Sequence, residues 1–186
     1  MNYATIKKND IANGEGVRVS LFVSGCRHHC KNCFTREAWD FSYGAPYTAE
    51  VEEEILQALQ PTYVAGLSLL GGEPFEPENQ EALLALVKRV KQRYPEKNIW
   101  CYTGFLWEAI VEGAVGKKAV ANELLSYMDV LVDGKFVEEQ KDLSLLFRGS
   151  ANQRILDVGR SLAEGQAVWL AGTWQRNMGS GNIYDV

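Results

Sequence analysis

Apolar residues recur along this chain in two patterns, short continuous runs and helical stripes, and the two alternate. The run VRVSLFVS, residues 17–24, is rich in β-branched and apolar side chains and predicts a strand that feeds into a cysteine-bearing loop. Thr48 can cap a helix through Leu59, with Glu50, Glu52, Glu53 and Glu54 near its positive N-terminus and Val51, Ile55, Leu56 and Leu59 on one side. GLSLLGGEP, residues 66–74, has the pattern of a buried strand ending in a glycine turn. NQEALLALVKRVKQRY follows, with Leu83, Leu86, Val87 and Val90 at helical spacing, basic residues in its last turns and Pro95 as a stop. NIWCYTG predicts a third strand, FLWEAIVE and ANELLSYM two short helices, and DVLVDGKF a fourth strand ending in Asp-Gly.

Strands that alternate with helices imply an α/β fold whose strands pair in parallel through right-handed crossovers, with ligands bound at the strands' carboxyl ends. At 186 residues the chain fits one domain, and no internal repeat or composition shift divides it. A core over residues 1–160 and an extension over 161–186 are expected. The extension would add one strand near Ala167 to Leu170 and end in a mobile Gly- and Ser-containing tail.

Charge narrows the function classes. A net charge of −5 with no basic stripe argues against a nucleic-acid partner. No apolar run approaches the ~20 residues of a membrane span, and MNYATIKKND lacks the basic-then-apolar order of a signal peptide. A cytoplasmic protein is therefore expected, and thiols there stay reduced.

That compartment sharpens the meaning of SGCRHHCKNC, residues 24–33, which holds Cys26, Cys30 and Cys33; the fourth cysteine, Cys101, lies inside a predicted strand. Three occupants compete for the triad. A structural zinc prefers four ligands, usually from two separate knuckles, and His28 and His29 lie too close between the cysteines to close a tetrahedron easily. A disulfide would strand one thiol and conflicts with the compartment. An iron–sulfur cube takes four ligands, so three thiolates would leave one iron open to an outside group. Cys101 is expected to be a core thiol, and His28 and His29 exposed loop residues. The tryptophans Trp100, Trp107, Trp169 and Trp174 are expected to pack or face a partner, and Phe75 could do either.

The Cys-x3-Cys-x2-Cys spacing resembles the radical S-adenosylmethionine enzymes, and GGEP, residues 71–74, resembles their Gly-Gly-Glu turn. Further stretches, DIANGEG, SLLGGEPFEPEN, NIWCYTGF, VDGKF and RGSANQR, make the chain from about Tyr3 to Asp157 similar to the activating proteins of anaerobic ribonucleoside-triphosphate reductases. The resemblance implies an incomplete α/β barrel of parallel strands, a 4Fe-4S cluster on Cys26, Cys30 and Cys33, and S-adenosylmethionine on the open iron. It implies reductive cleavage to methionine and a 5′-deoxyadenosyl radical, which takes hydrogen from a glycine of the partner reductase. A flavodoxin or similar reductant would supply the electron.

Site roles follow as expectations of that resemblance. Asn32 and Phe34, beside the last cysteine, would lie near the adenine. Gly71, Gly72 and Glu73 would face the methionine amino group, since glycines admit close backbone approach and the turn offers a carbonyl and a carboxylate. Thr103, Asp133 and Lys135, at the ends of two strands, would reach the ribose or the carboxylate, although VDGK also fits a plain Asp-Gly turn with a solvated lysine. Arg148, Asn152 and Gln153 would contact the cofactor or order a loop. The rivals are an activator of another glycyl-radical enzyme, such as pyruvate formate-lyase, and a zinc-stabilised interaction module without catalysis.

Overall fold

A computed structural model describes residues 1–172; the expected mobile tail and Trp174 lie outside the described residues. Seven strands form one open sheet in the order β3-β1-β2-β4-β5-β6-β7. Its middle is the predicted alternation. Strands β2 (Val17–Val23), β4 (Val64–Gly71), β5 (Asn98–Tyr102) and β6 (Val130–Asp133) run parallel, linked through helices α1 (Ala49–Leu59), α2 (Pro77–Arg93), α3 (Trp107–Glu112) and α4 (Lys118–Ser126).

The expectation of uniformly parallel strands is corrected at both edges. Strand β1 (Asn2–Asp10) pairs antiparallel with β2, because residues 11–16 are too few for a crossover and fold back as a tight connection. The two-residue β3 (Ala45–Pro46) extends that edge antiparallel to β1, and β7 (Arg154–Asp157) closes the other edge antiparallel to β6. A fifth helix, α5 (Val158–Glu164), follows β7, capped by Asp157, whose side chain accepts from the Arg160 N–H. The strand expected near Ala167 to Leu170 is a single bridge between Trp169 and Leu156, flanked by backbone hydrogen bonds from Asp157 to Val168 and from Leu170 to Ile155.

The helices form where the apolar spacing requires. Thr48 Oγ1 accepts the Val51 N–H and starts α1, a cap contributing about 1 kcal/mol. Ile55, Leu56 and Leu59 are buried on its inner side. Pro77 opens α2, where its missing N–H costs nothing, and Lys91 and Arg93 occupy the last turn beside the negative end of the dipole.

Alternation along the strands gives the sheet two unlike faces. Val19, Leu21, Val23, Leu67, Leu69, Ile99, Cys101 and Leu131 join side chains from all five helices in one apolar core. Cys101 is therefore a core thiol, and burial pushes its pKa well above the usual value. The opposite face carries Arg18, Ser20, Ser68 and Trp100. Arg18 is fully buried and donates to Ser68 Oγ at 2.6 Å, Asn98 Oδ1 at 2.7 Å, the Leu67 carbonyl at 2.8 Å and the Glu15 carbonyl at 3.0 Å, tying residues 11–16 to the sheet. Its guanidinium also lies 5.4 Å from the Trp100 ring centre. Burial lowers its pKa to about 10, so it stays charged at neutral pH.

Candidate cluster and cofactor site

The cysteine loop leaves β2 at its carboxyl end and closes on itself. Gly25 N–H donates to the Ala38 carbonyl at 2.8 Å and Cys26 N–H to the Trp39 carbonyl at 3.2 Å, so both ends of the loop are pinned. Inside it, His29 and Asn32 adopt left-handed backbone, φ 48° and 56°, each immediately before a cysteine. Such backbone is uncommon outside glycine and persists where surrounding structure demands it. The consequence is that Cys26, Cys30 and Cys33 all line one cavity.

Gly71, Gly72, Glu73 and Thr103 line the same cavity, so the two motifs read from the sequence meet at the carboxyl ends of β2, β4 and β5. The meeting is tight. Gly72 N–H donates to the Val23 carbonyl at 2.7 Å and Glu73 N–H to the Gly25 carbonyl at 2.8 Å. A Cβ on Gly72 would lie 2.6 Å from that Gly25 oxygen, so only glycine lets the loops approach this closely. Thr35 adds a side-chain bond across the gap, donating to the Gly71 carbonyl at 3.1 Å.

Glu73 is 1% exposed and its carboxylate is fully engaged. One oxygen accepts the Phe75 N–H and the Thr103 hydroxyl, both at 2.8 Å; the other accepts the Gly104 N–H at 2.7 Å and meets His28 Nε2 at 2.9 Å. This bonding organises the turn and fixes Thr103 and His28 at the cavity wall, which Glu73 also lines. His28 corrects the expectation of an exposed loop residue. It is half-buried, packs on Phe105 at 4.4 Å and lines the cavity. His29 is exposed as expected and stacks on Trp39 at 4.5 Å. Phe75, left open by the sequence, is fully buried in the core.

The remaining expected residues separate. Phe34 is completely exposed and Asn32 is exposed, both at the cavity's edge. Asp133 is fully buried, and its carboxylate accepts the Trp107 N–H at 2.8 Å, starting α3, and the Arg154 guanidinium, with Nε at 2.9 Å. Arg154 also pairs with Glu108. Asp133 is thus consumed in a structural ion pair. Lys135 is an exposed residue whose charge draws the raised Cys30 pKa back down. Asn152 and Gln153 order a loop: Asn152 Nδ2 donates to the Lys135 carbonyl at 2.8 Å, and Gln153 bonds Gly134, Gly149 and Ser150. Arg148, nearly buried, donates to the Gln153 carbonyl at 2.9 Å and lines the cavity with Gln153.

The donor set suits an iron–sulfur cluster. Burial pushes the Cys26 thiol up to about 12 and raises Cys30, while backbone N–H groups of His28 and His29 at Cys26, and of Phe136 at Cys30, favour their thiolate forms. Cationic iron would complete that stabilisation, and N–H donors to ligand sulfur are the usual surroundings of such clusters. Sequence inspection missed Arg27 and Glu76: Glu76 is buried and accepts the Arg27 N–H at 2.7 Å, clamping the residue between Cys26 and His28. The one available signal was the second glutamate of GGEPFE.

Comparisons with known proteins agree with this chemistry. Residues 12–156 match the family model described as a 4Fe-4S single cluster domain. The chain is 46% identical over 157 residues to a protein of Vibrio cholerae, covering 83% of this chain and 97% of that one. It is 43% identical over 157 residues to one of Pasteurella multocida, covering 83% and 96%, and 40% identical over 155 residues to one of Escherichia coli K12, covering 82% and 96%. All three relatives are named anaerobic ribonucleoside-triphosphate reductase-activating protein.

Proposed function

The chain belongs to the family of anaerobic ribonucleoside-triphosphate reductase-activating proteins, and from that premise we propose that it makes a glycyl radical on its partner reductase by radical S-adenosylmethionine chemistry. The carrying observation is that Cys26, Cys30, Cys33 and the residue 71–73 turn line one cavity at the ends of parallel strands. When bound, a 4Fe-4S cluster and S-adenosylmethionine would supply methionine and a 5′-deoxyadenosyl radical able to take hydrogen from a glycine, with a flavodoxin or similar donor providing the electron.

The chain's own residues do the positioning. Cys26, Cys30 and Cys33 would hold the cluster through three thiolates, which would leave one iron open to an outside ligand. Gly71 and Gly72 bring backbone close to the methionine end, and Glu73 fixes Thr103 and His28 there. Asn32 and Phe34 border the side open to the adenine and the incoming peptide, and the open sheet takes the place of the superfamily's incomplete barrel. Oxygen-sensitive clusters and free thiols suit an anaerobic cytoplasm.

The test is anaerobic reconstitution followed by incubation with S-adenosylmethionine, a reductant and the reductase, read by electron paramagnetic resonance. About four irons per chain and a glycyl doublet on the reductase are expected. Cys30→Ala should lose the doublet while remaining soluble. A doublet on pyruvate formate-lyase alone would reassign the partner, and colourless protein with one tightly held zinc would overturn the enzyme reading.

A further inference from the structure

Glu76 lies behind the cavity wall and is not among the residues that line it, yet it joins three elements. Its main chain continues the glycine turn, with its N–H donating to the Glu73 carbonyl at 3.1 Å. Its carbonyl accepts the Asn79 and Gln80 N–H groups at 2.8 and 3.2 Å and begins α2. Its carboxylate, only 3% exposed as a residue, turns the other way and accepts both the Arg27 N–H and the Arg27 guanidinium. The guanidinium is shared with Glu78 and lies 4.4 Å from the Phe41 ring centre.

The helix does not need this carboxylate. Glu76 is the N-cap residue of α2, but its side chain makes no cap bond. The whole of its hydrogen bonding is spent on residue 27, directly after the first cysteine. Glu73 meanwhile holds residue 28. Two carboxylates three residues apart in one turn therefore grip two consecutive residues of the cysteine loop.

We infer that Glu76 is a positioning residue which, with Arg27, fixes the cysteine loop against the residue 71–73 turn so that one cofactor can touch both. This deepens the proposed function and rests on it. The cluster's own ligands sit in the loop alone, whereas S-adenosylmethionine must bridge loop and turn. Releasing the clamp should therefore weaken S-adenosylmethionine binding and spare the iron. The carboxylate oxygen facing the Arg27 N–H has a counterpart in glutamine, so Glu76→Gln should keep that contact and Glu76→Ala should lose it.

The experiment uses the full chain, reconstituted anaerobically as wild type, Glu76→Ala, Glu76→Gln and Arg27→Ala. Three quantities are read: iron per chain, the S-adenosylmethionine dissociation constant, and the spectral change that S-adenosylmethionine causes in the reduced cluster's paramagnetic resonance. Glu76→Ala should keep wild-type iron, bind S-adenosylmethionine about tenfold or more weakly, as loss of an outer support commonly does, and show a diminished spectral change. Glu76→Gln should recover most of the affinity. Arg27 is largely exposed, so Arg27→Ala tolerates substitution, keeps the backbone contact and should give a smaller loss with the same sign; it decides the matter if Glu76→Ala fails to fold.

Wild-type affinity in both Glu76→Ala and Arg27→Ala would overturn the inference, and so would loss of iron from folded Glu76→Ala, which would make Glu76 a support of the cluster alone. Absence of iron or of any S-adenosylmethionine response in the wild type would instead bring down the functional reading itself.

Discussion

Glu73 and Asp133 are both acidic residues at the carboxyl ends of parallel strands, both almost fully buried, and both followed or preceded by glycine in the sequence. Only one stands at the cavity. Glu73 is held by neutral donors and one imidazole, and its partners Thr103 and His28 are themselves cavity residues. Asp133 is held by a guanidinium and a helix N–H, and its partner Arg154 leads away to Glu108 on α3. A buried acid at a strand end is thus a site residue or a structural one according to what neutralises it. A carboxylate answered by arginine has no remaining demand for a ligand.

Substitutions can break this contrast. The largest effect is expected from Asp133→Ala, which leaves Arg154 without its buried partner and should cost ~3–5 kcal/mol in denaturant unfolding. Iron content per folded molecule should stay at the wild-type level. If iron is lost in step with stability, Asp133 belongs to the site after all. Glu73→Gln should cost less, ~1–3 kcal/mol, because one amide oxygen cannot serve both pairs of donors. Its effect should fall instead on chemistry, with glycyl-radical yield reduced well beyond the fraction unfolded.

Cys101→Ala removes one buried sulfur from the helix-covered face and should cost about 1 kcal/mol as a small cavity, with iron and radical yield unchanged. Loss of the cluster in this variant would show the ligand set to be wrong. The smallest effect concerns Glu108, whose pKa is lowered from the ordinary 4.5 by its hydrogen bond from Arg154. A lowered carboxylate contributes stability that is complete above its ordinary value and disappears as pH falls through the folded one. Glu108→Gln should therefore flatten the acid limb of the stability curve below about pH 4.5 by well under 1 kcal/mol, because the Glu108 side chain is 44% exposed and solvent screens the pair.

Much of the fold was legible because burial leaves a period in the sequence. The four parallel strands and helices α1 to α4 follow their apolar spacing closely. Strand β1 was invisible because it carries no such record: Lys7, Lys8 and Asn9 are exposed, and pairing with β2 holds the segment in place. In the site, Cys26, Cys30 and Cys33 and the glycine turn were legible because their chemistry is tied to residue type and spacing. His28 and Glu76 were not, because each depends on a partner about 45 to 50 residues away, a contact that only the folded sheet creates. The pairing of Asp133 was hidden for the same reason, since Arg154 is 21 residues distant.

The backbone bonds joining Gly25 and Cys26 to Ala38 and Trp39 make the cysteine loop a closed ring, and its stiff and slack arcs differ. The arc from 26 to 33 carries the ligands, the Arg27 clamp and two left-handed residues, so its length is fixed. Past Thr35, which the Gly71 carbonyl holds, Arg36 and Glu37 are exposed, and ring closure there grows only slowly harder with added chain, about 0.6 kcal/mol for each doubling of length. An insertion of a few residues at 36–37, beyond the Thr35 bond to Gly71, should leave the ligands in place. That makes this stretch the natural port for attaching a spin label, a tether or a longer partner-gripping segment to the edge of the cavity.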